Sequence, residues 1–294
     1  IEREILLKAM PHISWPMRFV LPYHKNMRFD VNTPTSKLLN VFMPWLKGRR
    51  PAWLIRFGLF LYDNMGGRNI LKGTNSLSLI NSPEGIPLKS MFSKAFEYSD
   101  CWIEDSRLVI LNARDAEIRG AKINVRTKVT SAEQINGVWH LTLHSLRDDT
   151  SRVVTARMIV NAGGPWVEDI IQNKIRLNSS EGVRLVRGSH LITKKLYEHE
   201  KCYFFQGEDG RIIFTIPYET DFTLIGTTDV EHADISIKPE CTIEEQNYLI
   251  NFASQYFKVK VTIDDIIKTY SGVRPLYNDN ASSASAATRD YVLS

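Results

Sequence analysis

From about residue 122 to residue 160, apolar and polar side chains alternate, which is the period of a strand with one buried face. Few other patterns in this chain restrict its fold as much. Asn136-Gly137 interrupts the alternation as a hairpin signal, because a two-residue type I′ turn needs positive φ at both central positions. Val138 to Leu146 then sets Trp139, Leu141 and Leu143 against polar neighbours. Asp148-Asp149 makes the next turn, and Arg152 to Val160 reads as a further strand that ends in the buried run Met158-Ile159-Val160. A β-meander of about three strands is therefore expected. A helix is expected before it, starting near Glu104-Asp105 with acid at its positive end and stopping at Gly120. After it come Asn161-Ala162-Gly163-Gly164-Pro165-Trp166 and a short amphipathic helix to about Gln172.

Beyond Ser180 the pattern is mainly strands: Val183 to Thr193, Cys202 to Gln206, Arg211 to Ile216 and Phe222 to Thr228, with a turn at Asp209-Gly210. Thr242 and Glu245 form a capping box for a helix whose expected buried stripe is Ile243, Leu249, Ile250, Ala253 and Phe257. The tail from Asn278 to Thr288 reads as a loop. The order of these blocks predicts an α/β plus α+β chain, with two kinds of structure interleaved along it.

The first 50 residues contain Pro11, Pro16, Pro22, Pro34 and Pro44, so long regular elements are not expected there. Residues 28 to 50 read as a surface loop or insertion. The most apolar stretch, Ala52 to Met65, stops at Gly66-Gly67 and falls short of the roughly 20 apolar residues a bilayer span needs. It reads either as a core helix or as a face resting on a membrane, since Lys47, Arg49 and Arg50 precede it. The chain opens in mid-pattern with Ile1 to Leu7, which resembles the end of a helix and suggests a fragment.

A length of 294 residues allows two domains. The net charge of +4 is too small to argue for nucleic acid, and is compatible with an anionic substrate. Cys101, Cys202 and Cys241 are odd in number and lack C-x-x-C spacing, which argues against a disulfide framework or a metal site and for a reducing compartment.

Four places could carry chemistry. Gly163 and Gly164 after a strand let backbone approach a flat or phosphorylated ligand, or simply make a tight turn. His190 within Arg187-Gly188-Ser189-His190 is a polar exception in an apolar strand, and suits either a base or a structurally satisfied histidine. Thr227 and Asp229 at a strand end could line a site or form an Asx-type turn. Arg274 and Arg289 suit bidentate clamping of phosphate or carboxylate, although most arginines are solvated.

These pieces occur in a recognisable order. Asn-Ala-Gly-Gly-Pro-Trp at 161–166, Arg-Gly-Ser-His at 187–190, Gly-Thr-Thr-Asp-Val-Glu at 226–231, Tyr-Ser-Gly-Val-Arg-Pro-Leu at 270–276 and Thr-Arg-Asp-Tyr at 288–291 resemble the aerobic, FAD-dependent glycerol-3-phosphate dehydrogenases. Phe96 to Trp102, Pro51-Ala52-Trp53 and Gly58 to Asp63 are also similar to that family. The resemblance covers nearly the whole chain and departs between residues 28 and 50.

The resemblance implies hydride transfer from C2 of sn-glycerol 3-phosphate to FAD, giving dihydroxyacetone phosphate, with electrons passed on to the quinone pool. It also implies a cytoplasmic protein peripheral on the inner face of a membrane, and it is compatible with a homodimer. Arg274 and Arg289 would bind phosphate, His190 would be the base, and Thr227 and Asp229 would sit nearby. Lys128, Val129, Ala162, Gly163 and Gly164 would touch the flavin. An incomplete flavin domain (residues 92–176 and 277–294) would be interleaved with a mainly antiparallel substrate domain (residues 1–91 and 177–276).

None of the 16 glycines is separated from another by one residue, so the G-x-G-x-x-G fingerprint is absent. The polypeptide as written is expected to be colourless and not catalytically competent. Two alternatives stand beside the main reading: a dehydrogenase of another polyol phosphate such as erythritol phosphate, and a non-enzymatic phosphate-binding module. An upstream in-frame glycine fingerprint would exclude the module.

Overall fold

The structure, a computed structural model, describes residues 2–25, 27, 50–64, 69–178, 182–207 and 210–278. Its elements in chain order are α1 (Glu2–Ala9), β1 (Ser14–Pro22), α2 (Ala52–Asn64), β2 (Asn75–Ser78), β3 (Lys94–Ile103), α3 (Asp105–Ile118), β4 (Thr127–Ile135), β5 (Val138–Ser145) and β6 (Thr150–Ala156). A short helical segment over residues 164–175 leads to β7 (Val183–Lys194), β8 (Cys202–Gln206), β9 (Ile212–Tyr218), β10 (Phe222–Gly226), β11 (Val230–Glu231), α4 (Ile243–Tyr256) and β12 (Ile266–Tyr277). They fall into two compact units. The first comprises Ile1–Leu108, Arg187–Asp229 and Pro239–Gly272, and the second Val109–Val186, Val230–Lys238 and Val273–Ser294.

The large sheet runs in the order β11-β7-β10-β9-β8-β1-β3-β2, and β12 also pairs with β7. Its central neighbours β7, β10, β9 and β8 are antiparallel, as alternating strands with short connections require. The exception is a short parallel pairing of β1 with β8 at Phe19↔Cys202 and Val20↔Tyr203. The expectation of no long element near the N-terminus is overturned by α1 and by the nine-residue β1. Pro16 is tolerated inside β1 because β8 reaches only Phe19 and Val20, so beside Pro16 the strand has β3 alone as its partner. Residues 92–108, read from sequence with the flavin part, lie in the first unit, where β3 pairs along the whole of β1.

Helix α4 covers one face of the sheet. Leu249, Phe252, Ala253 and Tyr256 pack with Val20, Leu191, Tyr203, Phe205, Ile213 and Ile225 in the main core. Tyr256 stacks on Phe205 at 4.1 Å between ring centroids, and its hydroxyl donates to the Gln206 carbonyl at 2.5 Å. The buried ring thus keeps its polar end satisfied. Ile243, expected in the stripe, is 50% exposed. Glu245 takes the buried place instead, because it stands one turn before Leu249 on the same helical face.

Helix α2 has no buried residue among those described, which overturns its reading as a core helix. Ala52, Ile55 and Leu59 rest on a small cluster of Leu21, Met27 and Phe96. Trp53, Phe57, Phe60 and Leu61 stay exposed. The residues around it (28–49 and 65–68), including Lys47, Arg49, Gly66 and Gly67, lie outside the described set.

In the second unit the meander forms as expected, in the order β4-β5-β6. Ile135 pairs with Val138 around the turn, and Asn136 and Gly137 both adopt positive φ. The third strand is shorter than expected. It ends at Ala156, and Met158 and Val160 are 76% and 81% exposed rather than buried, since no described strand pairs with that run. Nor does α3 bury any residue among those described.

Candidate functional site

In the first unit the polar exceptions of the sequence gather at one end of β7 and β10. His190 and Gly226 are partners across the two strands. The His190 imidazole stacks on the Tyr270 ring at 4.8 Å, with the planes 5° apart. Thr227 and Asp229 follow Gly226 directly and are half-buried, as is His190. Between them Thr228 is buried and ties the two segments together: the Ser189 N–H donates to Thr228 Oγ1 at 2.9 Å.

Beneath this edge lies Glu245, 5% exposed. Its Oε1 accepts from Ser189 Oγ at 2.8 Å and from Thr228 Oγ1 at 2.7 Å. Its Oε2 accepts from Arg187 Nη2 at 2.8 Å and from the Thr242 N–H at 3.1 Å. Burial pushes this carboxyl up, but the hydroxyl, amide and guanidinium donors outweigh burial and hold it below the usual carboxylate range. The capping box is expected from the sequence; the burial of its glutamate is not. The signal was the spacing to Leu249, which puts a carboxylate on the apolar stripe.

In the second unit the Asn161–Trp166 loop is pinned by its own side chain. Asn161 Nδ2 donates to the Val167 carbonyl at 3.0 Å, and Asn161 Oδ1 accepts the Gly163 N–H at 3.2 Å. A Cβ on Gly163 would stand 2.5 Å from Ile170 Cδ1, so a side chain there would make the end of Ile170 shift. At Gly164, φ is +54° and a Cβ would meet nothing within 4 Å. The loop therefore presents bare backbone to open space, which fits the approach of a flat ligand. Lys128 is exposed and Val129 half-buried, next to an irregularity between Val129 and Ser131 in the β4–β5 ladder.

The predicted site residues are thus divided. His190, Thr227 and Asp229 belong to the first unit. Arg274, half-buried on β12, belongs to the second with Lys128, Val129, Ala162, Gly163 and Gly164. Arg289 lies outside the described residues, as do Thr288, Asp290 and Tyr291. Among the described residues no group of three or more His, Cys, Asp or Glu side chains could hold a metal ion. None of their helices is long and apolar enough to cross a membrane.

The chain is 46% identical over 292 residues to the D-erythritol 1-phosphate dehydrogenase of Brucella abortus, covering 99% of this chain and 54% of that protein. It is 44% identical over 293 residues to the glycerol-3-phosphate dehydrogenase of Pseudomonas tolaasii, covering 99% and 52%. The chain thus spans about half the length of the curated relatives it matches. The solved glycerol-3-phosphate dehydrogenase of Bacillus halodurans, complexed with FAD, shares the fold with a TM-score of 0.68 at 24% identity, over 97% of this chain and 49% of that one. Residues 5–293 match the DAO family, described as FAD dependent oxidoreductase. The chain belongs to the family of FAD dependent oxidoreductases.

Proposed function

We propose that the protein carrying this chain oxidises the secondary hydroxyl of a polyol phosphate, with sn-glycerol 3-phosphate as substrate and dihydroxyacetone phosphate as product. The observation that carries this reading is the held imidazole of His190, fixed between Gly226 and the Tyr270 ring beside Thr227 and Asp229. An imidazole titrates near neutral pH, so a fixed one suits removal of the hydroxyl proton. Arg274 and Arg289 would hold the phosphate, since a planar guanidinium makes paired charge-assisted bonds to its oxygens. Thr227 and Asp229 would border the reacting carbon. Backbone at Ala162, Gly163 and Gly164, with Lys128 and Val129, would lie along the flavin. When bound, FAD supplies the hydride acceptor. On this reading the first unit supplies the base and the second the flavin-facing backbone and the phosphate-binding arginines. The exposed aromatic stripe of α2 supports peripheral contact with a membrane; delivery of electrons to quinone on its cytoplasmic side would follow from the family resemblance alone.

A second substrate has an observation in its favour. The relative named for D-erythritol 1-phosphate shares 46% identity with the chain, against 44% for the glycerol-3-phosphate dehydrogenase, a gap too small to choose between them. The deciding experiment mixes full-length, flavin-loaded protein anaerobically with glycerol 3-phosphate, D-erythritol 1-phosphate and unphosphorylated glycerol. Fast flavin bleaching by glycerol 3-phosphate is expected, and much slower bleaching by glycerol. Preference for erythritol phosphate would replace the first substrate by the second. No bleaching by either phosphate would end the reading.

A further inference from the structure

We propose that Glu245 is a positioning residue for His190, and that its negative charge, not merely its shape, fixes the edge on which His190, Thr227 and Asp229 stand. The proposal rests on the functional reading above only in calling that edge catalytic. The geometry concerns the first unit alone.

A capping-box glutamate normally accepts one backbone N–H and otherwise faces water. Glu245 is buried and collects four donors: Ser189 Oγ, Thr228 Oγ1, Arg187 Nη2 and the Thr242 N–H. An ionised carboxylate has about four acceptor positions, so the group is saturated. Because it can only accept, it dictates the direction of every proton around it. The hydroxyls of Ser189 and Thr228 must both point at it. The Thr228 oxygen is then left to accept the Ser189 N–H at 2.9 Å. The Ser189 oxygen is left to accept from Ser271 Oγ at 2.8 Å.

Two segments are tied directly through this one side chain and a third through Ser189 Oγ. Ser189 precedes His190, Thr228 separates Thr227 from Asp229, and Ser271 follows Tyr270, whose ring stacks on His190. The residue types match this role. Replacement by glutamine keeps the volume but turns one acceptor oxygen into a donor NH₂. Facing Arg187 Nη2 and the Thr242 N–H, that nitrogen would make a buried donor-to-donor contact; facing the two hydroxyls, it would force both to turn and accept, reversing the proton order around Ser189 and Thr228 and leaving Arg187 without a charge to face.

The test compares full-length wild type and Glu245→Gln, both flavin-loaded, by two measurements. One is the rate of flavin reduction by glycerol 3-phosphate, with its apparent dissociation constant. The other is the nuclear magnetic resonance of the labelled His190 ring across pH, which needs no substrate. We expect reduction to slow by about 10- to 100-fold with the dissociation constant little changed, as for misplacement of a reacting group. The His190 ring signals should move, and their titration should shift. Unaltered His190 signals, or a reduction rate within about twofold of wild type, would overturn the proposal. If Glu245→Gln does not fold, Arg187→Met, which removes one donor to Glu245 and leaves the Ser189–Thr228 bond in place, is read by the same two measurements with the same criteria. If neither polyol phosphate reduces the flavin of wild type, the functional reading fails, and the His190 signals alone decide the role of Glu245.

Discussion

The His190 imidazole fills the space that a side chain at Gly226 would need. A Cβ at position 226 would stand 2.1 Å from His190 Cδ2 and 2.8 Å from Nε2. The two residues are cross-strand partners on β7 and β10, so the contact is set by register rather than by a mobile loop. On its other side the ring meets Tyr270.

Gly226→Ala should therefore push the ring out of place. Overpacking of this kind costs about 1–3 kcal/mol of stability. Thermal unfolding should show that loss. Flavin reduction by substrate should fall further than stability alone explains, because the folded fraction at assay temperature stays high. An alanine variant with wild-type turnover would mean that the ring's position is immaterial to the chemistry.

His190 and Arg274 should fail in different ways. His190→Ala is expected to cut turnover by roughly 10²–10⁴ and to leave substrate binding nearer normal, as for loss of a general base. Arg274→Ala should raise KM and lower turnover as well, since a misplaced phosphate misaligns the reacting carbon. Arg274→Lys should restore only part of the loss, because an ammonium cannot make the guanidinium fork. Steady-state kinetics of the full-length variants separate the two patterns.

The meander and the main strands could be read from the sequence because their alternation and turn residues are local signals. Asn136-Gly137 stands at the turn it specifies. Met158 and Val160 misled because apolar residues in a run signal burial only when something covers them, and no described strand does. Helix α2 misled in the same direction: its composition suits a core, but what decides is the partner of each face. His190, Thr227 and Asp229 were visible as polar exceptions. Glu245 was not, because its role depends on Ser189 and Thr228, which approach it from 56 and 17 residues away in the chain.

The exposed stripe on α2 gives a prediction about membranes. Trp53, Phe57, Phe60 and Leu61 are 57%, 53%, 54% and 45% exposed and recur at helical spacing on one side of the helix. Fully burying a large apolar side chain is worth about 1.5–3 kcal/mol, and about half of each ring is still exposed, so removing two should weaken partitioning by about 10- to 100-fold. The Phe57→Ser/Phe60→Ser double variant should therefore lose cosedimentation with vesicles containing anionic phospholipid. Its reduction of a soluble dye by substrate should be kept. Equal sedimentation of variant and wild type would remove α2 from the membrane face.

Acid should unfold the first unit through the charges between β1, β3 and β8. Glu97 accepts from Arg18 Nη2 at 2.5 Å and pairs with Lys201 Nζ at 2.7 Å, and Lys201 also reaches Glu84 at 2.5 Å. Burial tends to raise the Glu97 carboxyl, but the bonds and charges of Arg18 and Lys201 prevail and hold it below its ordinary value of 4.5. Glu84 is likewise lowered, with burial opposed by Lys201. A carboxyl whose folded value lies below its unfolded value binds protons more readily when unfolded. Its contribution is therefore fully present above pH 4.5 and is lost as pH falls through the folded value. Lys201 is raised above 10.5, with burial opposed by Glu84 and Glu97, so its contribution holds below that value and is lost only as pH rises through the folded one. Between these limits the cluster should give a flat profile. Tm measured against pH should drop below pH 4.5, and Glu97→Gln should lower the plateau and reduce the acid drop together, because the amide leaves Arg18 without its carboxylate and Lys201 with Glu84 alone. If Glu97→Gln kept the full acid dependence of wild type, the acid sensitivity would belong to other carboxyls, with Glu245, also lowered, the next to test.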